Sequence, residues 1–239
     1  MKQEVSQLAR RDKDKVLQLE NRDLISLTNP KSPIAEQFRT IRTNIEFSNI
    51  DADLRTIVVT SSSPAEGKST ITANLAVVFA QQGKRVLVID SDLRKPTTHY
   101  TFQIENHIGL SNVLTKQTTL EGTVQTTNQE NLWALTSGPI PPNPSELLGS
   151  RSMISLLEKA KREYDIIILD SPPVLAVTDA QILSNLTDGV VLVVSSGKTQ
   201  INSAKKTKEL LESAKAKILG VVLNNKKVQK NQYYYYGGE

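Results

Sequence analysis

Residues 55–70 read Arg55-Thr-Ile-Val-Val-Thr-Ser-Ser-Ser-Pro-Ala-Glu-Gly-Lys-Ser-Thr70 and run into an apolar segment, Ile71 to Gln82. The β-branched run Ile57 to Thr60 predicts a buried strand. Ser61 to Glu66 predicts a loop, and Gly67-Lys68-Ser69-Thr70 opens the helix that follows. Strand, loop and helix in this order are the context of a phosphate-binding loop. The free N–H groups and positive dipole end of such a helix face phosphate oxygens. Lys68 is placed to reach the β- and γ-phosphates, and the Ser69 hydroxyl to ligate Mg²⁺. One position departs from G-x-x-x-x-G-K-[ST]: its first glycine is Ser62.

Strands and helices alternate outward from this loop. After the helix, ended by Gly83, Val86 to Ile89 is a continuous apolar strand closing on Asp90-Ser91-Asp92, with Leu93-Arg94-Lys95-Pro96 behind it. Gly109 to Thr115 predicts a short helix, Leu132 to Leu135 a strand, and Gly138-Pro-Ile-Pro-Pro-Asn-Pro144 a rigid connector. Ser145 to Tyr164 is mostly helical, and Asp165 to Leu169 is a strand ending in Asp170, with Ser171-Pro172-Pro173 following. Helix 178–186, strand 190–194, helix 202–217 and strand 218–223 complete the series, with Asn224-Asn225 at the last carboxyl end. Such alternation predicts an α/β fold of the P-loop NTPase type: a single domain with a doubly wound, mostly parallel sheet and helices on both faces. Ligands of open parallel sheets bind at strand carboxyl ends. Asp90, Asp92 and Asp170 all fall there. A lone strand-end aspartate is often a turn or cap residue. Three beside a phosphate loop fit a magnesium–nucleotide site better, because Mg²⁺ takes oxygen ligands and keeps several waters.

Ahead of the first strand, Ser32 with Pro33 marks a helix start. Ile34, Phe38, Ile41 and Ile45 then form an apolar stripe at helical spacing, with Glu36, Arg39 and Arg42 on an arc beside it. The arc reads either as a local Glu36–Arg39 pair or as a docking row. Residues 1–31 alternate charges with few large apolar side chains and predict a mobile arm. Residues 226–239 are polar apart from Tyr233-Tyr234-Tyr235-Tyr236, four of the chain's six tyrosines. No core needs that arrangement, and its glycine and polar flanks predict an exposed tail.

The bulk numbers fit one soluble domain with tails: 239 residues, 38% apolar and 23% charged. Cysteine is absent, which excludes disulfides and thiolate metal sites and fits a cytoplasmic setting. No apolar run approaches the ~20 residues of a membrane span. The net charge of +4 is concentrated from Ser195 onward, where nine lysines face three glutamates. No nucleic-acid motif accompanies them, so nucleic acid is not an expected partner.

Taken together, these stretches resemble the bacterial tyrosine kinases that accompany capsule and exopolysaccharide synthesis. The resemblance rests on Ser-Pro-Ala-Glu-Gly-Lys-Ser-Thr70, on Val86 to Pro96, on Ile166 to Pro173, on Gly138 to Leu147, on Glu36-x-x-Arg39-x-x-Arg42 and on the tyrosine cluster. It implies an ATP- and Mg²⁺-dependent protein-tyrosine kinase spanning 32–225. Ala65, Glu66, Gly67, Lys68, Ser69, Thr70 and Asn224 would bind nucleotide, and Ser69, Asp92 and Asp170 would hold the metal. Lys68 and Asp92 would serve catalysis, with Asp90 activating the incoming hydroxyl. Tyr233 to Tyr236 would be autophosphorylated between subunits of a ring, of eight in the family, held partly by Glu36, Arg39 and Arg42. The implied partners are the cytoplasmic segment of a membrane co-polymerase, which would bring the chain to the inner face of the plasma membrane, and a tyrosine phosphatase. The family's loop has glycine where Ala65 stands, and alanine is penalised if φ is positive there. Two other readings share this fold: an ATPase switch of the partitioning or division-positioning type, and a nucleotide-gated scaffold. The former carries an extra lysine early in its loop, where this chain has Ser62, Ser63 and Pro64.

Overall fold

The computed structural model describes residues 24–48 and 53–226. Two helices precede the first strand, α1 (Ile25–Thr28) and α2 (Pro33–Phe47). The Ser32 hydroxyl caps α2 by accepting from the Ala35 amide, with Pro33 at the first helical position. Next come β1 (Thr56–Ser61), α3 (Lys68–Ala80), β2 (Val86–Asp90), α4 (Thr98–Phe102), α5 (Leu110–Leu114), β3 (Gln125–Thr126) and β4 (Leu132–Leu135). The chain continues through α6 (Pro144–Leu148), α7 (Arg151–Glu163), β5 (Ile166–Asp170), α8 (Asp179–Leu186), β6 (Gly189–Ser195), α9 (Ile201–Ser213) and β7 (Ile218–Asn224).

The strands form one seven-stranded sheet in the order β3-β4-β2-β5-β1-β6-β7. All pairings are parallel except that of the two-residue β3 with β4. Side-chain alternation divides the core between two faces. Ile57, Val59, Val86, Val88, Ile166 and Ile168 pack with α2 and α3. Val58, Leu87, Ile89, Ile167 and Leu169 pack with α7 and α8. Helix α3 is buried from Ile71 to Ala80 because the sheet covers it from within and α1 and α2 from without. The doubly wound expectation therefore holds.

The chain leaves β1 towards one edge of the sheet and β5, its neighbour, towards the other. That reversal opens the crevice in which ligands of such sheets sit.

Several boundaries differ from the sequence reading. Helix 145–164 is two helices, broken at Gly149 with Ser150 capping the second through the Met153 amide. The expected arm ends before Ser32, because Leu24, Ile25 and Leu27 pack on the core. The Ser26 amide donates to Asn74 Oδ1 at 2.9 Å, and its carbonyl accepts from Gln81 Nε2 at 2.9 Å. Residues 1–23 of that arm lie outside the described residues, as do Tyr233 to Tyr236.

The apolar stripe of α2 is also rotated. Ala35 is buried and Ile34 is 45% exposed, while Phe38 and Ile45 stay inside. On the same side Arg42 turns inward, its Nη1 donating to the Val78 carbonyl, 2.9 Å away in the last turn of α3.

Candidate active site

The Ser62–Gly67 loop carries two left-handed residues, Ala65 at φ 60° and Gly67 at φ 95°. The penalty expected at Ala65 is therefore present. At Gly67 a Cβ would stand 2.0 Å from Asn224 Nδ2, so any larger residue would displace that amide as well as strain the left-handed backbone. That Asn224 amide donates to the Glu66 carbonyl at 2.9 Å, which brings the end of β7 against the loop. Ser62, in the place of the motif's first glycine, is fully buried, its hydroxyl 2.9 Å from that of Thr207 on α9. The departure from the motif is thus absorbed by a polar contact with that helix.

Lys68 and Ser69 begin α3. Lys68 Nζ lies 3.1 Å from Asp92 Oδ2, 3.5 Å from Asp170 Oδ1 and 3.3 Å from Ser69 Oγ. Burial disfavours the ammonium, but Asp170 and Asp92 outweigh it and hold the Lys68 pKa above its ordinary value. Asp90 and Asp170 stand side by side at the same rung of β2 and β5. Asp90 Oδ2 accepts from the amides of Thr97 and Thr98, each at 2.8 Å, whereas Oδ1 is buried with no hydrogen-bond partner. Burial, and then the charge of Asp170, push the Asp90 pKa up to about 7 against those two amides and Lys68. Burial likewise raises Asp170, with Lys68 opposing. Neither Asp170 oxygen has a hydrogen-bond partner. Asp92 is held from behind by the Lys95 amide, 3.0 Å from its Oδ1.

Three buried carboxylates around one ammonium leave the cluster net negative. The oxygens of Asp170, beside the Ser69 hydroxyl and with Oδ1 3.5 Å from Lys68 Nζ, are hard donors of the kind Mg²⁺ takes. No group of three or more His, Cys, Asp or Glu able to hold a metal without further ligands occurs among the described residues. Any cation here would depend on phosphate oxygens and water for the rest of its shell.

The structure thus brings together Ala65, Glu66, Gly67, Lys68, Ser69, Asp90, Asp92, Asp170 and Asn224. Thr70 continues the first turn of α3, its carbonyl accepting from Asn74 Nδ2 at 3.0 Å. Glu36, Arg39 and Arg42 stand apart on α2. The Glu36–Arg39 pair is formed at 2.5 Å, and Arg39 also donates to the Pro30 carbonyl. Arg42, engaged with Val78, does not continue their exposed row.

Sequence reasoning missed Lys198 and Thr199. Lys198 Nζ donates to the Ala65 carbonyl at 3.0 Å and Thr199 Oγ1 to Glu66 Oε1 at 2.7 Å. Their signal was position alone: Ser195-Ser196-Gly197-Lys198-Thr199 leaves the carboxyl end of a strand adjacent to β1.

A phosphate loop whose lysine is ringed by strand-end carboxylates defines a P-loop nucleotide-binding protein. Comparison with known proteins narrows the class. A family model described as an AAA domain matches residues 54–229. Tyrosine-protein kinase YwqD of Bacillus subtilis is 56% identical over 90% of this chain and 92% of its own length. The crystal structure of the chimerical protein CapA2B2 superposes with a TM-score of 0.83 at 49% identity, covering 86% of this chain and 90% of that one. The kinase domain of Escherichia coli tyrosine kinase ETK gives 0.83 at 33% identity, covering 90% and 85%. More distantly, the septum site-determining protein MinD of Pyrococcus horikoshii, complexed with Mg-ADP, gives 0.61 at 26% identity over 71% of this chain and 70% of that one. The chain belongs to the bacterial tyrosine-protein kinase family, as its motifs led us to expect. Among the described residues no helix is long and apolar enough to cross a membrane.

Proposed function

We propose that this kinase transfers the γ-phosphoryl group of ATP to tyrosines of its own tail, Tyr233 to Tyr236, each subunit serving a neighbour. The observation that carries the reading is the placement of Lys68, at the start of α3 and beside the phosphate loop, with its amine between Asp92 and Asp170. A tyrosine Oη attacks the γ-phosphorus. The new O–P bond forms as the bond to the β–γ bridging oxygen breaks, ADP leaves with that electron pair, and the phenolic proton passes to Asp90. A carboxylate with a pKa of about 7 and one unpaired oxygen, Oδ1, suits that acceptor role. Lys68 neutralises charge on the β- and γ-phosphates, and the loop amides orient them.

Mg²⁺ fits the net-negative cluster and would be held by Ser69, Asp92 and Asp170, directly or through water. When bound it would screen the phosphate charge that the carboxylates otherwise repel.

By family resemblance, Glu36, Arg39 and Arg42 support a ring of subunits. The cytoplasmic segment of a membrane co-polymerase activates the enzyme at the inner face of the membrane, and a tyrosine phosphatase reverses the modification. The product controls capsule or exopolysaccharide assembly. Four adjacent phosphotyrosines carry about −6 to −8, too much to stay docked beside these aspartates, so phosphorylation loosens the ring.

The test is direct. The chain is incubated with Mg-ATP, with and without the partner segment, and digested with trypsin. The mass of the peptide Asn231 to Glu239 then counts its phosphates. Added phosphates in the wild type and none in Lys68→Met support the reading. A bare peptide in both conditions, with ATP still hydrolysed, would move the assignment to an ATPase switch.

A further inference from the structure

The phosphate loop is fastened from outside itself. Glu66 is only 1% exposed, and both its carboxylate oxygens are engaged. Oε2 accepts from the Ser62 amide at 2.9 Å, closing residues 62–66 into a ring. Oε1 accepts from the Thr199 hydroxyl at 2.7 Å, and the same hydroxyl oxygen accepts from the Ser195 amide at 2.7 Å. Thr199 thus bridges the end of β6 to the carboxylate that shapes the loop. Lys198 on the Ala65 carbonyl and Asn224 on the Glu66 carbonyl reinforce the same attachment.

The loop needs such help. Ala65 holds a left-handed conformation that disfavours any residue with a Cβ, and Ser62 replaces a motif glycine. Left to itself, the loop would spend part of its time in shapes that do not present its amides to an anion. A site that is receptive only a fraction of the time binds more weakly by that fraction, whereas the chemistry of the bound complex is unaltered.

We infer that Thr199 is a positioning residue for nucleotide: through Glu66 it holds the phosphate loop in its anion-receptive shape before nucleotide arrives. This rests on the nucleotide-binding assignment of the loop and not on the identity of the phosphate acceptor. Two consequences separate it from a merely structural role. Loss of the Thr199 hydroxyl weakens nucleotide affinity without slowing turnover at saturation. Glu66 and Thr199 also act through each other, so their effects are not additive.

The experiment is calorimetric titration of the full chain with Mg-ADP, alongside initial rates in Mg-ATP, for wild type, Thr199→Val, Thr199→Ser, Glu66→Ala and the double variant Glu66→Ala/Thr199→Val. A charge-assisted hydrogen bond at this position leads us to expect Thr199→Val to bind about tenfold more weakly with kcat within about twofold of wild type. Thr199→Ser, which retains the hydroxyl, should return to within about twofold of wild-type affinity, and the double variant should bind no more weakly than Glu66→Ala alone. Wild-type affinity in Thr199→Val, even with a lowered Tm, overturns the inference. So does a fall in kcat at unchanged affinity, or multiplication of the two effects in the double variant. If Thr199→Val does not fold, Glu66→Ala carries the test, and wild-type affinity there overturns the inference equally. A wild type that binds no Mg-ADP would overturn the nucleotide assignment itself, and the positioning role with it.

Discussion

Arg94 grips Asp179 with two donors, Nε 3.0 Å from Oδ2 and Nη2 3.2 Å from Oδ1, while Ser145 adds a third at 2.7 Å to a carboxylate that is fully buried. The pair ties the loop after β2, which carries Asp92, to the first turn of α8. Arg94→Met leaves a buried charge without its cation; because Arg94 is itself 39% exposed, we expect less than the ~3–5 kcal/mol of a fully buried pair, about 2–3 kcal/mol of stability. Urea unfolding with unchanged m-values would measure it. Arg94→Met/Asp179→Asn should recover part of that loss, because no charge is then buried alone. A double variant as unstable as the single one would contradict this account.

Asp188 provides a pH test remote from the site. Its Oδ2 accepts from the Arg55 amide, the Thr56 amide and the Thr56 hydroxyl at 2.8–3.0 Å, and Oδ1 pairs with Lys161 at 3.2 Å. Burial alone would raise its pKa, but the Thr56 and Arg55 donors and Lys161 outweigh burial and hold it below the ordinary carboxylate value. A depressed folded-state pKa contributes stability that is complete above the unfolded value, about 4. That contribution is lost as pH falls through the folded value. Asp188→Asn should therefore cost about 1–3 kcal/mol at pH 7, with the gap to wild type narrowing below pH ~4. A gap that stays constant down to acid unfolding would show that the charge is not what matters.

The left-handed backbone predicts opposite outcomes at two neighbouring positions. Ala65→Gly removes a steric cost of about 1–2 kcal/mol and adds back a smaller unfolded-state cost of about 0.4–1 kcal/mol. Stability should rise slightly and Mg-ADP should bind at least as tightly. Gly67→Ala drives a Cβ into Asn224 and should abolish measurable Mg-ADP binding. A calorimetric titration of both variants would settle the pair of expectations, and weaker binding by Ala65→Gly would refute the first.

On α2, assembly and stability should separate. The Glu36–Arg39 pair is partly exposed and local, worth at most about 1 kcal/mol to the fold. Glu36→Ala/Arg39→Ala should therefore leave the melting curve nearly unchanged while reducing assembly in sedimentation velocity. Arg42→Ala uncovers the Val78 carbonyl and should lower stability. It is consequently the poorer probe of assembly. Unchanged sedimentation of Glu36→Ala/Arg39→Ala would remove these residues from the subunit contact.

Much of the architecture was legible because strand and loop signals agreed at each step. Ile57 to Thr60, Val86 to Ile89 and Ile166 to Leu169 are continuous apolar runs ending in polar, glycine- or proline-bearing segments. A parallel sheet covered on both faces demands that pattern. The grouping of Lys68 with Asp90, Asp92 and Asp170 was legible from the phosphate loop and the strand ends, whereas the roles expected of them came from the family resemblance. Less legible were features set by tertiary contact. The inward turn of Arg42 depends on a helix end 36 residues away in the sequence. β3 has only two residues and no pattern to read. Thr199 carries no motif, because its significance comes from Glu66, which only the fold brings within reach.

Asp90 and Asp170 are paired across adjacent strands, although 80 residues of chain separate them. Their backbones are held at the interstrand spacing of about 4.8 Å, whatever the intervening loops do. Two consequences follow for anyone altering this protein. Insertions in the crossovers between these strands leave the spacing of the pair intact, provided they avoid residues 91–98, whose amides and Arg94 hold Asp90, Asp92 and Asp179. A one-residue slip of β5, by contrast, would send Asp170 to the opposite face of the sheet.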